Sequence, residues 1–125
     1  MHPKAHSPAF LALVNEAKSE IREIDVQQYR KMRDAGEDHV LIDVREDGEW
    51  SAGHGAGAIH LGKGIIERDI EKTVPDKSAR MVLYCGGGYR SALAAAALKK
   101  MGYSNPISLD GGWREWQAAG LPTEG

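Results

Sequence analysis

The chain has 125 residues, of which 42% are hydrophobic and 27% charged, with a formal net charge of −2. That length suits one compact domain able to bury about two thirds of its unfolded surface. The near-neutral balance gives no electrostatic case for a nucleic-acid partner, and no apolar stretch approaches the ~20 residues needed to cross a bilayer.

At the N-terminus, Met1 to Pro8 precede a short apolar patch, Phe10 to Val14, which charged residues interrupt at once. This reads as an amphipathic helix and not as a secretory leader, so a cytoplasmic location is expected. Ser7 and Pro8 supply an N-cap and a first helical residue for a helix over 8–23. Its apolar positions 10, 13, 14, 17, 21 and 24 share one face, so it is expected to pack on the domain. Asp25 caps a second helix running to about Ala35, with Gly36 as its stop. Val40 to Val44 is a buried parallel strand, Glu46 to Ala52 a short helix halted by Gly53, and Ala58 to Leu61 another short strand. Residues 62–80 are mixed and charged, with one helical turn near Ile65 to Arg68. Met81 to Tyr84 is a strand, 90–101 an alanine-rich helix stopped by Gly102, and Ile107 to Leu109 a further strand. Asp110-Gly111-Gly112 leads into a last helix carrying Trp113 and Trp116, ended by Gly120 and Pro122. Strands alternating with helices predict an α/β fold, a parallel sheet covered on both faces.

The chemistry centres on Cys85, the only cysteine. It follows a strand and opens the loop Gly86-Gly87-Gly88-Tyr89-Arg90, directly before a helix start at Ser91. A strand, a glycine loop and a helix N-terminus in that order surround the sulfur with backbone N–H groups and the positive end of a helix dipole. Such a setting favours a thiolate and holds an anion beside it. One cysteine excludes an internal disulfide, and no second thiol in the chain can resolve a modified Cys85. The five histidines are too scattered for a metal site; His2 and His6 have helical spacing, but Pro3 stands between them and the segment is expected to fray. No cofactor or metal is expected. Asp43 and Arg45 lie at the carboxyl end of another strand, two residues apart, so their side chains project on one side; ligands of such folds sit outside the carboxyl ends of the strands.

These residues resemble the rhodanese sulfurtransferase family. Three motifs carry the resemblance over about residues 25–123. They are Leu41-Ile42-Asp43-Val44-Arg45-Glu46 with Trp50 and Gly53-His54; Val82-Leu83-Tyr84-Cys85-Gly86-Gly87-Gly88-Tyr89-Arg90-Ser91; and Leu109-Asp110-Gly111-Gly112-Trp113 with Trp116 and Gly120-Leu121-Pro122. The resemblance implies a single rhodanese-like domain over 25–123, with a sheet of about five parallel strands between helices, preceded by a helical extension over 1–24. It also implies that Cys85 takes a sulfane sulfur from a small anionic donor such as thiosulfate, holds it as a persulfide, and passes it to cyanide, a thiol or a protein acceptor. No membrane partner is expected, and monomer and homodimer both stay open. One departure stands out: the family usually reads Gly-His-Ile-Pro-Gly-Ala where this chain has Gly53-His54-Gly55-Ala56-Gly57-Ala58. Losing a core isoleucine and a turn-fixing proline is expected to loosen that turn by about 1–3 kcal/mol.

Loop length separates sulfur transfer from phosphate chemistry in related proteins. Phosphatases and arsenate reductases on this fold carry Cys-x5-Arg, a ring suited to a tetrahedral oxyanion, whereas Cys85 and Arg90 are spaced Cys-x4-Arg. Within the loop, Gly86, Gly87 and Gly88 let backbone face the sulfur. Arg90 either meets the donor or turns to bind a backbone or carboxylate group; Ser91 caps the helix; Tyr89 walls the pocket mouth. Asp43 and Arg45 are read as supporting the loop, His54 as structural, and Trp113 and Trp116 as packing residues.

Overall fold

The structure, a computed structural model, describes residues 6–125, so the reading of His2 and of the first five residues lies outside it. Helix α1 spans Pro8–Glu20 and α2 Val26–Asp34; α3 is Asp47–Ser51, α4 Ile66–Thr73, α5 Tyr89–Lys100 and α6 Gly112–Ala118. Strands β1 (Arg22–Ile24), β2 (Val40–Asp43), β4 (Ile59–His60), β5 (Met81–Tyr84) and β6 (Pro106–Leu109) form one parallel sheet in the order β1-β6-β5-β2-β4. Two short segments, β3 (His54–Gly55) and β7 (Thr123–Glu124), pair antiparallel apart from it.

The central strands are buried on both faces, which is why they read as unbroken apolar runs. Along β5, Met81 and Leu83 join the layer containing Ile66 and Ile70 of α4 and Leu98 of α5, while Val82 and Tyr84 join Tyr29 of α2 and Trp116 of α6. The period-two alternation thus assigns each side chain to one of two cores. The caps predicted for α1 and α2 are present: Ser7 Oγ accepts the Phe10 N–H at 3.2 Å, and Asp25 with Gln28 forms a reciprocal capping box at the start of α2.

Two expectations are corrected. The first helix ends at Glu20 instead of 23, because Ile21 is extended and residues 22–24 form β1, pairing Ile24 with Leu109. The open edge of β6 offers ladder hydrogen bonds and a buried slot for Ile24, and these outweigh the helical periodicity. With that change the packing face of α1 narrows to Val14 and Ala17, and Leu13 is 59% exposed. Second, the single turn expected near residue 65 is the two-turn helix α4, anchored by Ile66 and Ile70 four residues apart.

At Gly55 and Ala56 the structure shows what fills the space and holds the turn. No gap is left by the missing isoleucine: a Cβ built on Gly55 would stand 2.8 Å from the Trp116 ring, so the indole occupies that space. The turn is also tied down, with Gly55 N–H donating to Tyr84 Oη at 3.0 Å and Ala56 N–H to the Pro122 carbonyl at 3.0 Å. Arg33 reaches the Ala56 carbonyl at 3.0 Å as well.

Candidate active site

All five sheet strands are parallel, so Asp25, Arg45, Cys85 and Asp110 emerge at one edge of the sheet, after β1, β2, β5 and β6 respectively. Cys85 sits at the floor of that edge with 1% of its surface exposed. Its Sγ receives the backbone N–H of Gly88 at 3.1 Å and that of Ser91 at 3.4 Å, both in the first turn of α5 or just before it. Gly88 makes this geometry affordable: its φ of 110° starts the helix from a left-handed conformation that a side chain would strain. A built Cβ there would also touch Asp110 and Gly111 at 3.4 Å.

The loop's carbonyls face the other way. Gly111, Trp113 and Arg114 N–H groups, at the start of α6, donate to the carbonyls of Gly87, Cys85 and Gly86 at 3.3, 2.7 and 3.2 Å. With its acceptors held by α6, the loop presents donors to the sulfur, which is what an anion requires. Gly112 lies so close beneath that a Cβ would overlap the Cys85 carbonyl oxygen. The Asp110-Gly111-Gly112 motif is visible in the sequence, but its role as the clamp of the cysteine loop depends on the β5–β6 adjacency.

Ser91 is not the helix cap; Gly88 holds that position, and Ser91 is buried within the first turn of α5. Its hydroxyl lies 3.6 Å from Cys85 Sγ and 2.8 Å from Ser108 Oγ on β6, with Ser108 also fully buried. When the sulfur is a thiolate it only accepts, so Ser91 O–H turns to it and Ser108 O–H donates to Ser91 Oγ. Ser108 was not singled out in the sequence. A buried serine between Ile107 and Leu109, in a strand with both neighbours apolar, is the signal that points to it.

Arg90 donates to the Glu49 carboxylate through both terminal guanidinium nitrogens, Nη1 and Nη2, at 2.8 and 3.2 Å. Of the two roles open for it, carboxylate binding is the one its guanidinium makes here. That fork holds the Glu49 carboxyl at about 2, well below the usual range. It also pushes the Arg90 guanidinium up, burial opposing and the Cys85 charge adding. Nη2 of Arg90 would stand 3.1 Å from a Cβ on Gly86, so the cation rests on the loop.

Asp43 and Arg45 are buried beside the site and do not line its cavity. Arg45 Nε and Nη2 bond the Asp43 carboxylate at 2.8–3.1 Å, and Nη2 also donates to the Gly53 carbonyl at 2.7 Å. The guanidinium lies 4.7 Å over the Trp113 ring. Burial and then an Asp43 hydrogen bond push the Tyr84 hydroxyl up. His54 stacks on Trp50 at 3.4 Å, with His60 on the same indole at 4.9 Å. The cavity itself, about 1410 Å³, has Cys85, Gly86, Gly87 and Arg90 at its base and Tyr89 on its wall.

Comparison with known proteins places this arrangement. The rhodanese-like domain matches residues 25–119. The thiosulfate sulfurtransferase GlpE of Ectopseudomonas mendocina is 35% identical over 106 residues, covering 85% of this chain and 93% of the relative. The probable adenylyltransferase/sulfurtransferase MoeZ of Mycobacterium tuberculosis is 40% identical over 95 residues, 74% of this chain; the chain spans only 24% of that protein's length. Among solved structures, a protein of unknown function from Rhodopseudomonas palustris, named as a possible tyrosine phosphatase, superposes with a TM-score of 0.87. It is 28% identical, with 99% of this chain and 100% of that one covered. With its match over 25–119 and the five-stranded parallel sheet around a cysteine loop, the chain belongs to the rhodanese-like domain family.

Proposed function

We propose that the protein is a sulfurtransferase working through a Cys85 persulfide, with thiosulfate or a similar anion as donor and cyanide or a thiol as acceptor. The observation that carries this reading is the setting of Cys85 Sγ: two backbone N–H donors at 3.1 and 3.4 Å, at the base of an open cavity. The Cys85 thiolate attacks the outer sulfur of thiosulfate, the S–S bond breaks, and sulfite leaves with the electron pair. The new terminal sulfur is again anionic and stays within the same field of N–H groups and the Arg90 charge. An external nucleophile then takes that sulfur, and the pair of the broken bond returns to Cys85 Sγ. Asp43 and Arg45 support the loop from below, through Gly53 and Trp113. Delivery to a protein partner uses the same chemistry with a larger acceptor.

The likeness to a possible tyrosine phosphatase makes phosphate-ester hydrolysis a second reading. Loop size weighs against it, since the Cys85-to-Arg90 spacing is one residue short of the ring that surrounds a phosphate, and Arg90 is spoken for by Glu49. Intact mass after incubation with thiosulfate tests the proposal. The wild-type protein gains one sulfur atom and Cys85→Ser gains none; sulfur uptake by the serine variant, or Cys85-dependent release of an aryl phosphate in place of sulfur uptake, overturns it.

A further inference from the structure

The cavity is far larger than thiosulfate needs, and one of its walls comes from outside the family-matched segment. Helix α1 ends before residue 25, yet His6, Phe10 and Lys18 line the cavity. They gather on Tyr89, the side chain that follows the glycine loop. The Phe10 ring lies 6.2 Å from that of Tyr89 and the His6 ring 5.0 Å from it, while Lys18 Nζ stands 5.3 Å over the same ring. Close packing of α1 on α5 through Ala17, Ala92 and Ala96 fixes this wall in place. Small residues at that contact let the two helices approach, which brings a side chain at position 10 within reach of the sulfur's antechamber.

The rest of the lining differs in kind. Asp25 and the first residues of α2 stand there with Arg114 and Glu115 of α6. Arg114 Nη2 would lie 3.5 Å from a Cβ on Gly87, so this cation overhangs the cysteine loop. The lining therefore combines the aromatic surface of Phe10 and Tyr89 with charges of both signs: Arg114 and Lys18, the latter pairing with Glu23 at 3.3 Å and Asp110 at 3.8 Å, stand among Asp25, Asp110 and Glu115. A bare inorganic anion uses only the floor. An organic thiol with an apolar stem at the sulfur, and both carboxylate and ammonium groups beyond it, uses the floor, the aromatic wall and the mixed charges together.

We propose that α1 is a specificity element, in which Phe10 and Lys18 hold the body of a small zwitterionic thiol that takes the sulfur from Cys85. The proposal rests on the sulfur-transfer reading above. In the step concerned, the acceptor thiolate attacks the outer sulfur of the Cys85 persulfide. The bond between that sulfur and Sγ breaks, its electron pair stays on Sγ as the thiolate, and the acceptor leaves as its own persulfide anion. No electrons are gained or lost overall.

The test loads full-length protein with thiosulfate, desalts it, and follows discharge by glutathione, 2-mercaptoethanol and cyanide in parallel. The readout is the ratio of the glutathione rate constant to the cyanide rate constant within each variant, so that a general loss of reactivity cancels. Phe10→Ala and Lys18→Gln are each expected to lower that ratio by about tenfold, the size of one lost substrate contact, and to move the ratio for 2-mercaptoethanol far less. Phe10→Leu keeps apolar bulk and is expected to retain most of the ratio, which guards against a folding artefact. Ratios within about twofold of wild type in both Phe10→Ala and Lys18→Gln overturn the specificity role. If wild-type protein gains no sulfur from thiosulfate, the sulfur-transfer reading has failed and this proposal falls with it, a result the mass measurement identifies before any discharge is followed.

Discussion

Gly112 and Cys85 are in backbone contact: the φ of 50° at Gly112 brings its Cα beneath the Cys85 carbonyl, and a built Cβ there would also lie 3.0 Å from the Cys85 and Gly86 carbonyl carbons. The first turn of α6 can hold the cysteine loop's carbonyls only because nothing projects at position 112. Gly112→Ala is therefore expected to displace the loop, costing about 1–3 kcal/mol of stability and lowering sulfur transfer at least tenfold. Thermal unfolding and thiocyanate formation from thiosulfate and cyanide measure both; an unaltered variant would refute the clamp.

The buried hydroxyl pair under the sulfur leads to a second expectation. Ser108→Ala removes the donor to Ser91 Oγ, which lies 2.8 Å away, without touching the cavity. Alkylation of Cys85 by iodoacetamide at neutral pH is expected to slow by about three- to tenfold, the worth of roughly one hydrogen bond, with kcat falling and KM for thiosulfate little changed. Ser108→Thr keeps the hydroxyl and is expected to restore the rate. Equal loss in both variants would show that Ser108 merely fills space.

Acid behaviour follows from Glu49. Its carboxyl is held at about 2 in the fold by the Arg90 fork, against an ordinary value of ~4.3 in the unfolded chain. The group is lowered on folding, so its stabilisation is fully present above about pH 5 and is lost as pH falls toward 2. The two side chains are 33% and 39% exposed, so solvent screening limits the effect to about 1 kcal/mol or less. Glu49→Gln is expected to flatten the stability curve between these limits, read by denaturant unfolding across pH. An unaltered slope would show that the pair adds nothing in solution.

Gly55 gives a test with an unusual sign. Outside the left-handed region, Gly→Ala commonly stabilises by about 0.4–1 kcal/mol. Here the new methyl would meet the Trp116 ring at 2.8 Å, so Gly55→Ala is expected to destabilise by about 1–3 kcal/mol. Pairing it with Trp116→Phe, which vacates part of that space, is expected to recover some of the loss. A stabilised single variant would mean that the indole moves aside freely.

The parallel sheet and the cysteine loop were legible in the sequence because short-range signals specify them: Met81 to Tyr84 is an apolar run closed by glycines, and Cys85 to Ser91 is local along the chain. What escaped depends on pairing partners. Nothing in Ile21 to Ile24 distinguishes a helix end from a strand until β6 stands beside it, and β3 and β7 exist only as each other's partner, His54 opposite Glu124. In the same way the departure at Gly55 reads as a loss until Trp116, far along the chain, is found in the space. The Arg90–Glu49 fork joins residues from two separate helices, α5 and α3, and sequence spacing alone could set Arg90's charge but not its direction.

Residues 122–124 anchor the helix that holds the cysteine loop. Trp116 Nε1 donates to the Pro122 carbonyl at 3.1 Å, and β7 lies against β3, with Glu124 Oε1 accepting the Gly57 N–H at 3.0 Å. Helix α6 is thereby moored at its far end to the turn after Trp50, while its near end carries the carbonyls of the cysteine loop. Residues 121–125 are thus linked to the cysteine loop through a single short helix.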